Sequence, residues 1–255
     1  MTVHEVAEKG FGRTADTYER VRPSYPPDAV AWLVENLDIR PGRAVLDLAA
    51  GTGKFTRLLV PSRATLFAAE PVEGMRRAFL DAVSGVPIVA AIAEVLPVSS
   101  GSLDAITVAQ AFHWFDPDRA FDEFARVLRP GGRVGLIWNA RDRSTDWVNE
   151  VWSIMDQVEK RAPWRDHERW RDSALGIRSG FGPLHAETFR HEQSITPEGV
   201  VERIMSVSHV AALRSAERAR VLERVREVLA THPDAEGRDE LHIPYRVDTY
   251  WCERR

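Results

Sequence analysis

The 255-residue chain contains one cysteine, Cys252, which excludes an internal disulfide and any zinc or iron–sulfur site built from several cysteines. It also lacks a run of about 18 apolar residues, which a membrane-spanning helix requires. Residues 1–9 lack the apolar core of a secretory signal. We therefore expect no metal site, no membrane partner and a cytoplasmic location.

An excess of charge of one sign is also missing. The chain has 34 Lys and Arg against 38 Asp and Glu, which gives a formal net charge of −4. Acids are interleaved with the arginine-rich stretches, a pattern typical of solvated helix faces rather than of a nucleic-acid-binding patch. With 44% hydrophobic residues the composition is that of an ordinary globular protein, and we expect no nucleic-acid partner.

The first half of the chain alternates apolar, strand-like runs with helical patterns, which is typical of βαβ units in a parallel sheet. Strands buried on both faces of such a sheet should be almost wholly apolar, and these runs are. The pattern predicts strands over 43–49, 65–70, 86–92, 103–109 and 133–138, and helices over 54–60, 72–83 and 117–128.

The second half has a different pattern. A tryptophan-rich stretch over 144–180 interrupts the alternation and predicts a helical insertion. Strands are then predicted over 184–193 and 240–251, with helices over 197–213 and 215–231 between them. The fold class that we predict is α/β, a Rossmann-like, seven-stranded, mostly parallel sheet with helices on both faces and a helical insertion after strand five.

A glycine-containing turn follows the first predicted strand and reads Asp47-Leu48-Ala49-Ala50-Gly51-Thr52-Gly53. Glycines let the backbone approach a ligand closely, and the helix that begins near Lys54 directs its free N–H groups to the same place. In an open α/β sheet, ligands bind there, beyond the carboxyl ends of the strands.

Three kinds of ligand compete for such a turn. A Walker phosphate loop needs Ser or Thr after Gly-Lys, but Phe55 stands there. A dinucleotide fingerprint needs a third glycine where Thr56 stands, and the charge of Asp47 would face the pyrophosphate. A zwitterionic amino acid with a sulfonium suits the turn better, since Asp47 can accept a hydrogen bond from its amino group directly or through water. Glu70, 23 positions after Asp47, is placed to accept two ribose hydroxyls.

Four successive motifs resemble those of the class I S-adenosylmethionine-dependent methyltransferases. They are the glycine turn, Glu70-Pro71-x-x-x-Met75, Ala93-Glu94-x-Leu96-Pro97 and Leu128-Arg129-Pro130-Gly131-Gly132. The segment Phe11-x-x-x-Ala15-x-x-Tyr18-x-x-x-Arg22-Pro23-x-Tyr25-Pro26 is similar to the small-molecule subgroup of ubiquinone-type and trans-aconitate-type enzymes. The resemblance covers residues 11–140 and is weak beyond them. The general motif has glycine where Ala49 stands, and we expect the extra methyl group to be tolerated in an extended backbone.

The resemblance implies S-adenosylmethionine as the cofactor and a role for each matched residue. Met75 would pack on the adenine, Ala93 and Glu94 would hold its amino group, and residues 110–112 would lie along the methionine portion. For Met75 and Phe112 a plain core position is the alternative. The implied cofactor-binding residues are Asp47, Ala49, Gly51, Thr52, Gly53, Glu70, Pro71, Met75, Ala93, Glu94, Gln110, Ala111 and Phe112.

Methyl transfer is an in-line displacement, so the protein mainly has to align the donor and the acceptor. A general base is needed only where the acceptor must lose a proton. His113 is a candidate base, with a structural histidine as the alternative. Tyr18 and Tyr25 are candidates to orient the acceptor or to place an aromatic face near the sulfonium.

Arg22 and Arg141 are candidate partners for an anionic acceptor, because arginine binds carboxylates bidentately, although ordinary ion pairs would also account for them. Trp114 is a candidate pocket wall. We expect one methyltransferase domain over 1–255, as a monomer or homodimer. Its parts are N-terminal lid helices (1–40), a cofactor-binding core (41–140), the helical insertion (141–182) and C-terminal strands and helices that complete the sheet and the acceptor pocket (183–255).

These observations predict a methyltransferase that acts on a small molecule, with a carboxylate and a hydroxyl as candidate acceptors. A nucleic-acid enzyme is disfavoured, because base-amine methyltransferases of this fold carry Asn/Asp-Pro-Pro-aromatic where Gln110-Ala111-Phe112-His113 stands. The pattern leaves open a non-catalytic cofactor-binding protein and, less favoured, a nicotinamide-dependent oxidoreductase.

Overall fold

A computed structural model describes residues 21–159 and 180–255 of the chain. Tyr18, most of the predicted N-terminal motif and the second half of the predicted insertion lie outside these residues. Within them, no helix is long and apolar enough to cross a membrane.

Seven strands form a single sheet in the order β3-β2-β1-β4-β5-β7-β6, which confirms the predicted fold class. β1 pairs in parallel with both β2 and β4, β2 with β3, and β4 with β5. The chain winds outward from β1 in one direction and resumes at β4 in the other, so the topological switch point lies between β1 and β4. The strands are β1 (Ala44–Leu48), β2 (Thr65–Ala69), β3 (Ile88–Val89), β4 (Leu103–Ala109), β5 (Leu128–Arg141), β6 (His185–Ile195) and β7 (Leu241–Glu253).

Within residues 21–159 and 180–255, eight α-helices flank the strands, and the first of them precedes β1. Two short 3₁₀ segments, Val60–Ser62 and Phe112–Trp114, accompany them. The helices are α1 (Pro27–Asn36), α2 (Lys54–Leu59), α3 (Glu73–Ala82), α4 (Pro117–Val127), α5 (Asp146–Glu159), α6 (Pro197–Met205), α7 (Ser208–Ala211) and α8 (Ser215–Thr231).

Three elements differ from the sequence-based expectation. The third strand shortens to two residues, because Pro87 has no N–H to donate and the chain turns back between Ile92 and Val95. The fifth strand begins at Leu128 rather than at 133, since the backbone around Gly131 and Gly132 pairs with Arg254. The helix expected over 197–213 breaks after Met205 into α6 and α7.

The described residues divide into two compact units. We call residues 24–139, 180–189 and 247–255 the core unit, and residues 21–23, 140–159 and 190–246 the helical unit. Each has its own apolar interior.

In the core unit, alternate residues of each strand point to opposite faces of the sheet. Val45 of β1 and Ala105 of β4 belong to one buried cluster, which Phe55 and Phe79 of the flanking helices complete. Leu46 belongs to the cluster on the other face, together with the aromatic rings of α4. The strands are buried on both faces, as their apolar composition requires.

The helical unit has a separate interior formed by α5, α6, α8 and β7. Trp147 and Trp152 of α5 lie inside it, against valines of α6 and α8 and against Tyr245 of β7. Two of the tryptophans that mark the predicted insertion are therefore packing residues.

Candidate functional site

The carboxyl ends of β1, β2 and β4 bring three segments together at the switch point. The turn at 49–53 follows β1, Glu70 follows β2, and Gln110 follows β4. The strand register places Asp47 opposite Ala68 on one side and opposite Thr107 on the other. Residues that are far apart in sequence thus meet at the edge where open α/β sheets bind ligands.

The Glu70 carboxylate holds the turn against the end of β2. It is 6% exposed, and it accepts hydrogen bonds from the Gly51 N–H at 3.0 Å and the Val72 N–H at 2.8 Å. Burial raises the pKa of Glu70, and these two backbone bonds oppose the rise. Each oxygen keeps a further lone pair, so the carboxylate can also receive hydroxyl donors.

Asp47 is 1% exposed and is satisfied within the protein. The Thr56 hydroxyl donates to Oδ2, and the Thr107 hydroxyl donates to Oδ1 at 2.9 Å. Burial raises the pKa of Asp47 to about 6, although both hydroxyl bonds favour the ionised form. Sequence reasoning used Thr56 only to exclude a dinucleotide loop and missed Thr107. The available signal was a polar residue within the apolar run over 105–109 of β4.

The glycines of the turn are required for different reasons. Gly53 has φ +82°, and a Cβ atom there would lie 2.3 Å from the Val83 side chain and 2.8 Å from Phe79. It is therefore needed for close packing of α3. Gly51 has φ +56°, but a Cβ atom would meet nothing within 4 Å, so its backbone has open space beside it. A ligand can approach the chain there.

The expectation of an extended backbone at Ala49 is wrong. Ala49 has φ +54°, in the left-handed region that disfavours every side chain with a Cβ. Gln110, directly after β4, is also left-handed at φ +59°. Two strained, non-glycine residues therefore stand at the ends of neighbouring strands, and such strain concentrates at functional sites.

The Glu94 carboxylate has one bonded and one unsatisfied oxygen. Oε1 accepts from the Asp116 N–H at 2.8 Å. Oε2 is buried and has no hydrogen-bond partner in the part of the chain that the structure describes. A buried acceptor without a donor is rare in proteins, and a water or a ligand group that donates would satisfy it.

The remaining residues of the predicted cofactor set vary in accessibility. Met75, Thr52, Ala93 and Ala111 are buried, whereas Pro71 is exposed. Phe112 is fully buried between Phe115 and Phe121, which fits the alternative of a core position.

The predicted acceptor-side residues that the structure describes are divided between the two units. His113 and Trp114 are half-buried, and their rings lie 5.1 Å apart. Tyr25 is buried in the core unit with its ring edge-on to Phe55 at 5.2 Å. Arg22 and Arg141 both belong to the helical unit.

The two arginines have partners there. Arg22 donates from Nε to Ser206 Oγ at 3.1 Å and from Nη2 to the Ser206 carbonyl at 2.9 Å. The Arg141 guanidinium carbon lies 4.5 Å from the centroid of the Trp152 ring.

Cys252 is not a nucleophile. Burial raises the pKa of its thiol to about 12, so the thiol stays protonated at neutral pH.

Comparison with known proteins identifies the family of the chain. A family profile described as "Methyltransferase domain" matches residues 46–136, which include the glycine turn, Glu70, Glu94 and Gln110. An uncharacterized methyltransferase of Mycobacterium tuberculosis is 38% identical over 235 residues, which cover 92% of this chain and 91% of that protein.

Solved structures share the fold. A candidate type II methyltransferase from Anaeromyxobacter dehalogenans has a TM-score of 0.67 at 24% identity, covering 91% of this chain and 97% of that one. A phosphoethanolamine N-methyltransferase of Haemonchus contortus in complex with S-adenosylmethionine has a TM-score of 0.59 at 15% identity, covering 100% of this chain and 60% of that one. The chain belongs to the class I S-adenosylmethionine-dependent methyltransferases. Its cofactor is S-adenosylmethionine.

The left-handed backbone at Ala49 leads to a prediction about the stability of the protein. Ala49→Gly relieves a conformation that costs an L-residue about 1–2 kcal/mol, and the greater freedom of glycine in the unfolded chain offsets part of this gain. We expect the free energy of unfolding to rise by about 0.5–1 kcal/mol in urea denaturation. Ala50→Gly, in the same turn but without a positive φ, is the matched control and should lower it. Equal losses in both variants would contradict the strain at Ala49.

The buried carboxylate of Asp47 predicts a pH dependence. Its pKa is about 6 in the folded protein, against about 3.9 in an unfolded chain. Between these pH values the folded state binds more protons than the unfolded state, so this group lowers stability as the pH rises from about 4 to about 6.

Asp47→Asn removes this titration. In urea denaturation we expect the stability of Asp47→Asn relative to wild type to increase by about 2 kcal/mol between about pH 4 and pH 7. The exposed Asp81→Asn is the control and should show no such change. A difference that stays constant over this pH range for Asp47→Asn would show that the buried carboxylate does not titrate there.

Proposed function

We propose that this methyltransferase transfers the methyl group of S-adenosylmethionine to a small-molecule acceptor, and that the edge formed by β1, β2, β3 and β4 in the core unit holds the cofactor. The observation that carries the assignment of the cofactor site is the buried, unsatisfied Oε2 of Glu94. The exocyclic amino group of adenine is a donor that would satisfy it. Asp47, Glu70 and Glu94 together also give the site a negative potential, which suits a cationic sulfonium and repels a pyrophosphate.

Glu70 and Asp47 have different proposed roles. Glu70 uses one lone pair of each oxygen on the backbone and has the others for the two ribose hydroxyls. Both oxygens of Asp47 already accept from threonine hydroxyls, and the carboxylate is buried. We therefore assign Asp47 to fixing the shape of the turn. We assign contact with the amino acid portion of the cofactor to the half-buried backbone at Gly51, which has open space beside it.

The bound cofactor supplies an electrophilic methyl group on sulfur. The protein's part is to orient this group and, where the acceptor carries a proton, to remove it. His113 is half-buried in the 3₁₀ segment that follows β4, and we propose it for this proton transfer. Tyr25, buried against Phe55, is assigned a packing role, and Tyr18 remains a candidate on the acceptor side.

The cofactor assignment is tested by Glu94→Gln. The substituted side chain has the same shape but one acceptor oxygen, so either the Asp116 N–H or the adenine amino group loses its partner. We expect S-adenosylmethionine and S-adenosylhomocysteine to bind about 10–100 times more weakly in calorimetry. Glu73→Gln, an exposed acid on α3, is the control and should bind as the wild type does. Unchanged affinity in Glu94→Gln would remove the adenine role from Glu94.

The acceptor is tested with labelled S-adenosylmethionine and panels of carboxylates, phenols and amines. Methyl transfer to one of these classes is the expected result, and transfer only to DNA or RNA would overturn the small-molecule assignment. With a phenol or amine as acceptor, His113→Gln should lower kcat by about 10²–10⁴ and remove the histidine limb of the pH–rate profile. A profile identical to that of the wild type would exclude His113 as the base.

A further inference from the structure

Arg203 of α6 is an unusual residue in the helical unit. It is 4% exposed and lies on a helix whose other buried members include Val200, Val201 and Ile204. Its Nε and Nη1 atoms are buried and have no hydrogen-bond partner in the part of the chain that the structure describes. Buried donors of a charged group that lack an acceptor are costly in a folded protein.

Trp152 of α5 adds a third unsatisfied donor atom beside the two of Arg203. Trp152 is 1% exposed, and its Nε1–H is also buried without a partner among the described residues. The guanidinium carbon of Arg203 lies 5.9 Å from the centroid of the Trp152 ring, and that of Arg141 lies 4.5 Å from it. The face of an indole ring attracts both cations, but a cation–π contact does not supply acceptors for their N–H groups.

Several acids of the same unit are engaged with other arginines. Asp142 pairs with Arg190. Asp156 accepts two hydrogen bonds from Arg143, both at 2.8 Å. Neither carboxylate has a described hydrogen bond to Arg203.

Hydrogen bonds of Ser206 fix the end of α6, and with it the backbone of Arg203. The Ser206 hydroxyl donates to the Arg203 carbonyl at 2.7 Å, and Ser206 in turn receives both described hydrogen bonds of Arg22. These bonds anchor the backbone of the last turn of the helix. A preorganised cation is what an anion-binding site requires.

We propose that the helical unit binds a carboxylate through Arg203 and the Trp152 Nε1–H, with Arg141 adding positive charge. Three buried donor atoms there lack an acceptor among the described residues, and a carboxylate offers two oxygens with about four lone-pair sites. The surrounding valines, Ile204 and Met155 favour a singly charged group on an apolar body over a doubly charged phosphate, whose desolvation costs more. This site does not depend on the assignment of the cofactor site, because all of its residues belong to the helical unit.

The carboxylate has two sources, the methyl acceptor itself or a separate ligand. Both present the same chemistry to Arg203. They differ in whether the molecule that binds also becomes methylated.

The test uses the full chain with Arg203→Met, whose side chain is unbranched, of similar length and apolar. Thermal unfolding is measured alone and with acetate, succinate, citrate or inorganic phosphate at matched ionic strength. Without ligand we expect Arg203→Met to raise Tm by about 2–4 °C, since a buried unpaired charge is removed. Carboxylates should raise the Tm of the wild type and leave that of Arg203→Met unchanged.

Two further variants keep the test decisive. Arg220→Met replaces an exposed arginine of α8 and should match the wild type in Tm and in carboxylate response. Trp152→Phe keeps an aromatic ring but removes the N–H, so we expect carboxylate binding to weaken by about tenfold in calorimetry. This measurement stands even if Arg203→Met does not fold.

A carboxylate response in Arg203→Met equal to that of the wild type would overturn the site. A lower Tm of ligand-free Arg203→Met than of the wild type would show that Arg203 stabilises the fold instead. Stabilisation by phosphate in preference to carboxylates would overturn the ligand class.

Labelled S-adenosylmethionine then separates the two sources. A bound carboxylate that becomes methylated is the acceptor, and one that binds without methylation is a separate ligand, and either result supports the site. The binding measurements need no cofactor, so a failure of the proposed methyl transfer would leave them interpretable.

Discussion

Two hydroxyl groups hold the Asp47 carboxylate, and these bonds join the end of β1 to α2 through Thr56 and to β4 through Thr107. The turn at 49–53 lies between these attachments. Its position, and with it the place where the Gly51 N–H meets Glu70, therefore depends on a buried charge that water does not reach. The arrangement raises the pKa of Asp47, because burial outweighs both hydrogen bonds.

The same edge of the sheet also carries backbone strain. Ala49 and Gln110 have left-handed φ angles at the ends of the neighbouring strands β1 and β4. A glycine at either position would reach that conformation at no steric cost. The strained backbone, the buried Asp47 and the unsatisfied oxygen of Glu94 all lower the stability of the ligand-free protein. Destabilising features of this kind are common where a site must match a ligand rather than the ligand-free fold.

The helical unit also contains a destabilising feature. Its interior is apolar, with Trp147, Trp152 and the valines of α6 and α8, yet Arg203 is buried within it. If the only task of this unit were to pack, an apolar side chain would serve better at that position. A buried cation with unsatisfied donors is therefore the feature that separates a binding role from simple packing.

The first half of the fold was predictable from sequence because its signals are local. Apolar runs of strand length gave β1, β2 and β4 to within a residue or two, and the glycine turn followed β1 directly. One error arose where a distant partner decides. The start of β5 is set by pairing with Arg254, more than a hundred residues away. The shortening of β3 has a local cause, because Pro87 directly before it has no N–H to donate.

The sequence by itself determined the fold class and the family, and the acids that we assign to the cofactor, because a turn, its glycines and a strand-end acid are recognised within short windows. Only the tertiary structure decided how those residues are used. Thr107 reaches Asp47 across 60 positions because parallel pairing puts their strands in register. Ala49 is left-handed because the turn must join β1 to α2, and Arg203 stands out only once its burial is known. Burial and hydrogen-bond satisfaction depend on what surrounds a residue in space, and a linear pattern of residue types does not carry that information.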